Sequence, residues 1–508
     1  MPRIPSKAER ASATEPAETP YNLAARVYGR RATAIEAGDA ATLALAPSLA
    51  PGLPAPALPL VPTPSSKSGM LSRLGALRTF DSLRLAPFRW YFISMMGVFG
   101  AMNMQMVVRG AIVFQLTGQY TKLGEISLAN ALPGLVLSLP GGVLADRVPK
   151  KLVQQIGNTL NAANALSLAL LILSGNISYG WLLVNAVAQG VIQGLMMPAR
   201  QSMIPDIVLP RYVMNAVALN NVGMNISRMF MPALGGFLLA MTASELPGTV
   251  STGASIVFFV MAGFYLFSVV TLLGVPAKPI EVPPEERIEM PSRGRAGGGH
   301  GAPRARGAKS AGLGDMWDGI KYMFRDRTVG VILLVNFLMV LCSMPYMQML
   351  PGFVSDVLKG GPGLQGTLMS ATSIGSLAAA LIIASLPSKR RGAILLWGSV
   401  LLGLALIAFS ASHWVWVTLP IMVFIGIGQS TRMALSNVLV QSYTDDQYRG
   451  RVMSIYMMEM SLVQISTYFV GLAADVVGIQ WALGATSALL VVLALGTYVT
   501  SSKFRNLA

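Results

Sequence analysis

Hydrophobic positions fall along this chain in long unbroken blocks rather than in stripes. From Phe88 onward, apolar runs of about 20 residues recur, each long enough to cross a bilayer core as a helix. They predict spans over 89–116, 124–145, 152–174, 180–199, 212–241 and 254–275. After a polar break come 329–353, 364–387, 392–411, 413–437, 451–474 and 478–500. No long alternating pattern of the kind a membrane β-barrel needs is present. The fold class predicted is an all-α membrane protein with twelve transmembrane helices in two pseudo-symmetric six-helix bundles. The bundles occupy 88–275 and 329–508, joined by a linker over 276–328. Within that linker, RGRAGGGHGAPRARGAK (Arg293 to Lys309) is rich in Gly and Arg and reads as a flexible, solvated loop.

Residues 1–87 follow no such pattern. LAPSLAPGLPAPALPLVPTP (Leu45 to Pro64) is a Pro/Ala tract without core-forming periodicity, read as a disordered cytoplasmic tail. The first residues lack the apolar stretch of a secretory signal. A start further downstream, for example at Met70, is an alternative reading.

Composition sharpens the picture. Hydrophobic residues make up 53% of the chain and charged residues 12%, against about 25% charged in soluble domains. The net charge is +16, which raises nucleic-acid binding as a candidate function. The distribution of the bases argues otherwise. One set of short loops holds Arg147, Lys150, Lys151, Arg200, Arg211, Lys389, Arg390, Arg391, Arg432, Arg449 and Arg451, and the opposite set holds only Lys122 and Lys359. Such a bias places the basic loops, both termini and the linker in the cytoplasm. The charge is topology and attraction to anionic membrane lipid, and no nucleic acid is implied. The single cysteine, Cys342, excludes an internal disulfide, and two distant histidines, His300 and His413, offer no metal site. No phosphate-binding loop, nucleophile elbow or zincin motif is present, which argues against an ATP-driven pump, an enzyme or a bound cofactor.

The two halves share a layout. GEISLANALPGLVLSLPGGVLADRVPKK, from Gly124, parallels GTLMSATSIGSLAAALIIASLPSKRRG, from Gly366. Both enter at a glycine and leave through a basic turn. Parallel six-helix repeats are a transporter plan, with the substrate site between the halves. The turn after the second span, GGVLADRVPKK, resembles the signature loop of the major facilitator superfamily in Gly142, Asp146, Arg147, Lys150 and Lys151. It departs from the family at Pro149, where glycine is usual. The resemblance implies a cytoplasmic latch between the halves; a plain anchoring turn is the alternative. The corresponding SLPSKRRG of the second half lacks the aspartate, so any latch is one-sided. Met196–Ala240 and Tyr448–Tyr456 resemble the bacterial branch that exports enterobactin and macrolides, which implies the bacterial inner membrane. In the fifth span, the drug–proton antiporter motif is matched at Pro232, Gly235 and Gly236 but not at Ser227 and Met231. The arginine such antiporters carry in the fourth span would fall at Ala186.

Ionisable groups inside spans cost several kcal/mol and mark function by default. Three stand out: Arg109, Arg228 and Glu459. Asp475 lies near the outer end of its span. Asn221, Asn225 and Arg228 share one helical face that Pro232 and Gly235 continue, Gln105 precedes Arg109 by one turn, and Asn158, Asn161 and Asn164 form another stripe. For the asparagines, interhelical hydrogen bonding is the expected role; for the arginines, the substrate cavity. Two arginines against one glutamate predict an electropositive cavity for an anionic or zwitterionic small molecule. Glu459 is the expected proton-coupling residue, with a structural salt bridge as rival. Arg228 lies roughly 10 Å deeper by helix rise and is not its fixed partner. Methionines such as Met102, Met106, Met347 and Met457 are read as packing rather than an adaptable pocket. The function predicted is a secondary active transporter, an exporter exchanging protons for a siderophore-like, drug-like or other metabolite by alternating access. A nutrient symporter of the same fold and a non-transporting sensor or scaffold are the alternatives.

Overall fold

In the computed structural model, residues 82–241, 252–277, 321–323, 325–385, 390–445 and 448–507 are described. The expectations for the Pro/Ala tail, the alternative start and most of the linker lie outside these residues. The first half contains α1 (Ala86–Thr117), α2 (Tyr120–Arg147), α3 (Lys150–Leu173), α4 (Tyr179–Ile207), α5 (Val213–Ala240) and α6 (Thr252–Leu272). The second contains α7 (Arg327–Ser343), α8 (Pro345–Asp356), α9 (Pro362–Ser385), α10 (Arg391–Ala411), α11 (Val415–Tyr443), α12 (Arg449–Met457), α13 (Glu459–Val477) and α14 (Ile479–Thr500). α7 with α8, and α12 with α13, each form one span with a break inside it.

Ten of these passages are long and apolar enough to cross a membrane, and α2, bent by 52° where Pro140 interrupts it, makes eleven. The remaining passage, α11, is a 29-residue helix whose apolar run is interrupted by Gln429, Ser430, Thr431 and Arg432. Together they are the twelve membrane helices that the hydrophobic blocks predict.

Within the first half, α2 packs on α4, α3 on α4 and α6, and α1 on α5 and α6; in the second, α9 and α10 pack on α11, and α10 on α14. In a bilayer no water drives helices together, so close backbone approach supplies much of the stability. Gly190 and Gly194 of α4 seat against the carbonyls of Asn130 and Gly134 of α2, and Gly426 of α11 seats against Thr372 of α9 in the same way.

The halves meet along α2–α13 and α5–α9. On α5–α9, Gly236 faces the carbonyl of Pro362, Gly366 faces that of Pro232, and the hydroxyls of Ser370 and Ser373 donate to the carbonyls of Met229 and Arg228 at 2.6 and 3.1 Å. On α2–α13, Gly124 faces Tyr468, and Gly471 faces Tyr120. All of these contacts lie toward the ends opposite the basic turns. Beyond Arg228, the same face of α5 is exposed at Asn225 and Asn221. The halves are closed at one end and parted toward the basic end.

Candidate functional site

Arg109 sits on α1, a helix buried along most of its length. Met102, Met106 and Arg109, spaced i, i+4 and i+7, are its partly exposed line. The guanidinium is held by amides. Its Nη2 donates to Asn185 Oδ1 at 3.3 Å and to Gln189 Oε1, and Gln189 donates in turn to Gln105 Oε1. Asn130 Nδ2 donates to the carbonyl of Ala186 at 3.1 Å and to Gln189 Oε1 at 3.4 Å, and the Asn164 and Asn185 amides each donate to the other's carbonyl. Arg109 Nε is buried without a partner. A permanent cation thus sits among neutral dipoles, with no carboxylate bonded to it among the described residues.

Arg200 repeats the theme. The charge pattern assigns it to a loop, but α4 extends to Ile207 and buries it to 8% exposure. Among the described residues its terminal nitrogens meet the sulfurs of Met102 and Met196, at 3.6 and 3.9 Å, and its Nε has no partner. The buried Tyr265 hydroxyl, also unpartnered, lies within electrostatic range of both Arg200 and Arg109.

Arg228 of α5 is exposed on the face that runs from the interface into the opening, and Tyr346 of α8 lies within its electrostatic range. Asn221 and Asn225 continue that face. Ser227, Pro232, Gly235 and Gly236 are buried; Gly235 packs against Met104 of α1 in its own half, while Pro232 and Gly236 face Gly366 and Pro362 of α9 across the inter-half seam. The Asn158 and Asn164 amides make interhelical hydrogen bonds, to Ser268 Oγ at 2.9 Å and to the Asn185 carbonyl.

Glu459 opens α13, directly after the break in its span, where a carboxylate is favoured by the positive end of the half-helix. It is 3% exposed. Its partner is Asn336 of α7, whose Nδ2 donates to Glu459 Oε2 at 2.6 Å while its Oδ1 accepts from Arg432 Nη1 at 3.0 Å. Arg432 is fully buried in α11, with Nε and Nη2 unpartnered. Like Arg200, it lies inside a span and not in the loop to which the charge pattern assigns it. Among the described residues the spans hold four arginines, Arg109, Arg200, Arg228 and Arg432, against one buried glutamate, rather than the two to one that the sequence suggests. The sequence held signals for the missed residues: Asn185 and Gln189 lie one turn apart on α4, and Asn336 is a lone amide in an apolar run.

The signature turn ends α2 and begins α3. Lys150 Nζ pairs with Asp206 at 2.7 Å and donates to the Ser202 carbonyl at 3.0 Å. Lys151 Nζ donates to the carbonyls of Val275 and Leu273 at 2.6 and 3.2 Å, beyond the end of α6. Both bases bind within their own half. Asp146 and Arg147 are exposed, and their side chains engage no other described residue.

Residues 78–289 and 307–506 match the transmembrane secretion effector family of major facilitator transporters. The chain belongs to that family. It is therefore a multi-pass membrane transporter rather than an enzyme. The staphyloferrin A transporter of Staphylococcus aureus is 24% identical over 362 residues, covering 70% of this chain and 82% of that one. The transporter YfiS of Bacillus subtilis is 24% identical over 402 residues, covering 76% and 86%. Among solved structures, an inward-facing bacterial homolog of the human lysosomal transporter Spinster superposes with a TM-score of 0.60 at 14% identity, covering 84% of this chain and 98% of its own. A D-xylose–proton symporter gives 0.58 at 13%, covering 83% and 98%.

Proposed function

We propose that this protein exports a small anionic metabolite of siderophore-like character across the bacterial inner membrane, from the cytoplasm, in exchange for protons. Arg109 carries the reading. A guanidinium held deep in a transporter by amides alone keeps its charge available, and a carboxylate or phenolate on the substrate is the group that satisfies it. Arg228, on the open face of α5, supplies a second charge nearer the entrance. Similarity to a staphyloferrin A transporter supports the siderophore-like class, and the parted basic ends fit loading from the cytoplasm. Glu459 is the proton site: it is the buried carboxylate of the second half, it sits at a helix break, and its tie to Arg432 runs through a neutral amide rather than a direct ion pair.

The test uses inside-out vesicles supplied with polycarboxylate chelators, catecholate chelators and cationic dyes of similar size. Uptake of the anionic compounds and exclusion of the dyes is expected. Arg109→Gln should raise KM by about tenfold or more, the loss of a charge-assisted hydrogen bond of ~1.5–3 kcal/mol. Preferred transport of cationic dyes, unaffected by Arg109→Gln, would contradict the substrate class.

A further inference from the structure

α2 begins without a cap of its own. Gln119 occupies the N-cap position, but its side chain makes no capping hydrogen bond. The first N–H groups of a helix have no partner inside it and carry the positive end of its dipole. Here the other half takes them. The N–H of Tyr120 donates to Asp475 Oδ1 at 2.7 Å, and that of Thr121 donates to Asp475 Oδ2 at 2.8 Å. Asp475 lies near the end of α13, so one carboxylate caps a helix of the opposite bundle with both its oxygens.

Tyr120 is held at three further points. Its hydroxyl donates to Asp356 Oδ2, at the end of α8, at 2.9 Å. Its ring packs on Phe114 with centroids 4.9 Å apart, and it covers Gly352 so closely that no side chain fits there. Its carbonyl lies over Gly471, where an added Cβ would come within 2.6 Å of the oxygen. Gly118, at φ +65°, ends α1 and joins it to α2 through two residues, so Tyr120 is tethered to the end of α1. A cavity of about 490 Å³ lies beside this knot, lined by Tyr120, Asp356, Asp475, Gln480 and Trp481.

We propose that Asp475 and Tyr120 are positioning residues of an outer gate, and that the cap across the bundle interface sets the balance between inward-open and outward-open states. The proposal rests on the alternating-access reading above. Outward opening separates α2 from α13. Two backbone donors and a carboxylate then part together, and Gln119 offers the donors no replacement. The interaction belongs to the outer-closed state alone, so weakening it shifts the equilibrium rather than merely loosening the fold.

The test measures distances between spin labels in a Cys342→Ser background, without substrate. One pair, at Asn176 and His413, spans the outer side; the other, at Met214 and Ser385, spans the cytoplasmic side. Asp475→Asn should raise the outward-open population at least tenfold, lengthening the outer distance and shortening the inner one. Tyr120→Phe, which removes only the bond to Asp356, should shift both in the same sense by less, and Asp475→Glu should restore most of the wild-type distribution. Gly124→Leu, which wedges α2 from Tyr468, serves as the control that forces the outer side open. If Gly124→Leu moves the two pairs in opposite senses while Asp475→Asn leaves both unchanged, the gate assignment is wrong and alternating access stands. If no variant moves them in opposite senses, alternating access itself fails and the gate with it.

Discussion

Asn336 joins the two charges of the second half, and its energetics show what a neutral residue can do in a membrane. It gives Glu459 a donor and Arg432 an acceptor at once. A buried polar group left without its partner costs about 1–3 kcal/mol, and more when charged. Asn336→Leu should therefore lower thermal stability in detergent by at least ~2 kcal/mol, since both neighbours are orphaned. Replacing all three together, as Asn336→Leu with Glu459→Met and Arg432→Met, should recover much of that stability, because an apolar set of similar volume carries no desolvation penalty. Transport should not recover with it. A triple variant as unstable as Asn336→Leu would show that the cluster matters through packing rather than through its charges.

At the scale of the element, helix position was legible and helix interruption was not. The spans predicted at 89–116 and 392–411 lie within α1 (Ala86–Thr117) and α10 (Arg391–Ala411) to within three residues, because hydropathy alone decides them. The break at Met344 leaves no trace in hydropathy, since the pieces on both sides are apolar, and the break at Met458 lies inside a run whose first piece, α12, merely reads as a polar helix start. The ends of α4 and α11 were read too short, for a related reason. Counting Lys and Arg says nothing of depth, so Arg200 and Arg432 pass as loop bases although both are buried. Asn185 and Gln189 are visible in the sequence as an amide pair one turn apart, but their pairing with Arg109 is not, because they meet it only once α1 and α4 pack together. The seam between α5 and α9 carries a prediction at this scale. A Cβ on Gly366 would collide with the Pro232 carbonyl and come within 2.9 Å of Ala233 Cα. Gly366→Val should force the seam apart and increase labelling of a cysteine placed at Ser370, which is partly buried there.

The whole molecule is two related bundles whose seams are exchanged by their pseudo-symmetry: the second and eighth spans correspond, as do the fifth and eleventh, so α2–α13 and α5–α9 are equivalent contacts. Alternation then amounts to trading closure at one end for closure at the other. At the outer end, Tyr120 and Asp475 are engaged. At the basic end, Asp146 and Arg147 of the signature turn are exposed and engage no other described residue; we propose that they form a latch that closes when that end closes. Asp146→Asn should therefore act with the opposite sign to Asp475→Asn, lowering the outward-open population in the same spin-label measurement. Equal signs for the two variants would rule out the latch role.

The central claim, proton-driven export of an anionic metabolite, is tested most directly by following proton movement in proteoliposomes when a transported chelator is added, with Glu459→Gln beside the wild type. The account predicts a substrate-dependent proton flux in the wild type that disappears in Glu459→Gln, while the variant still binds substrate. Equal proton fluxes from the two proteins, with transport and its pH dependence unchanged, would contradict it.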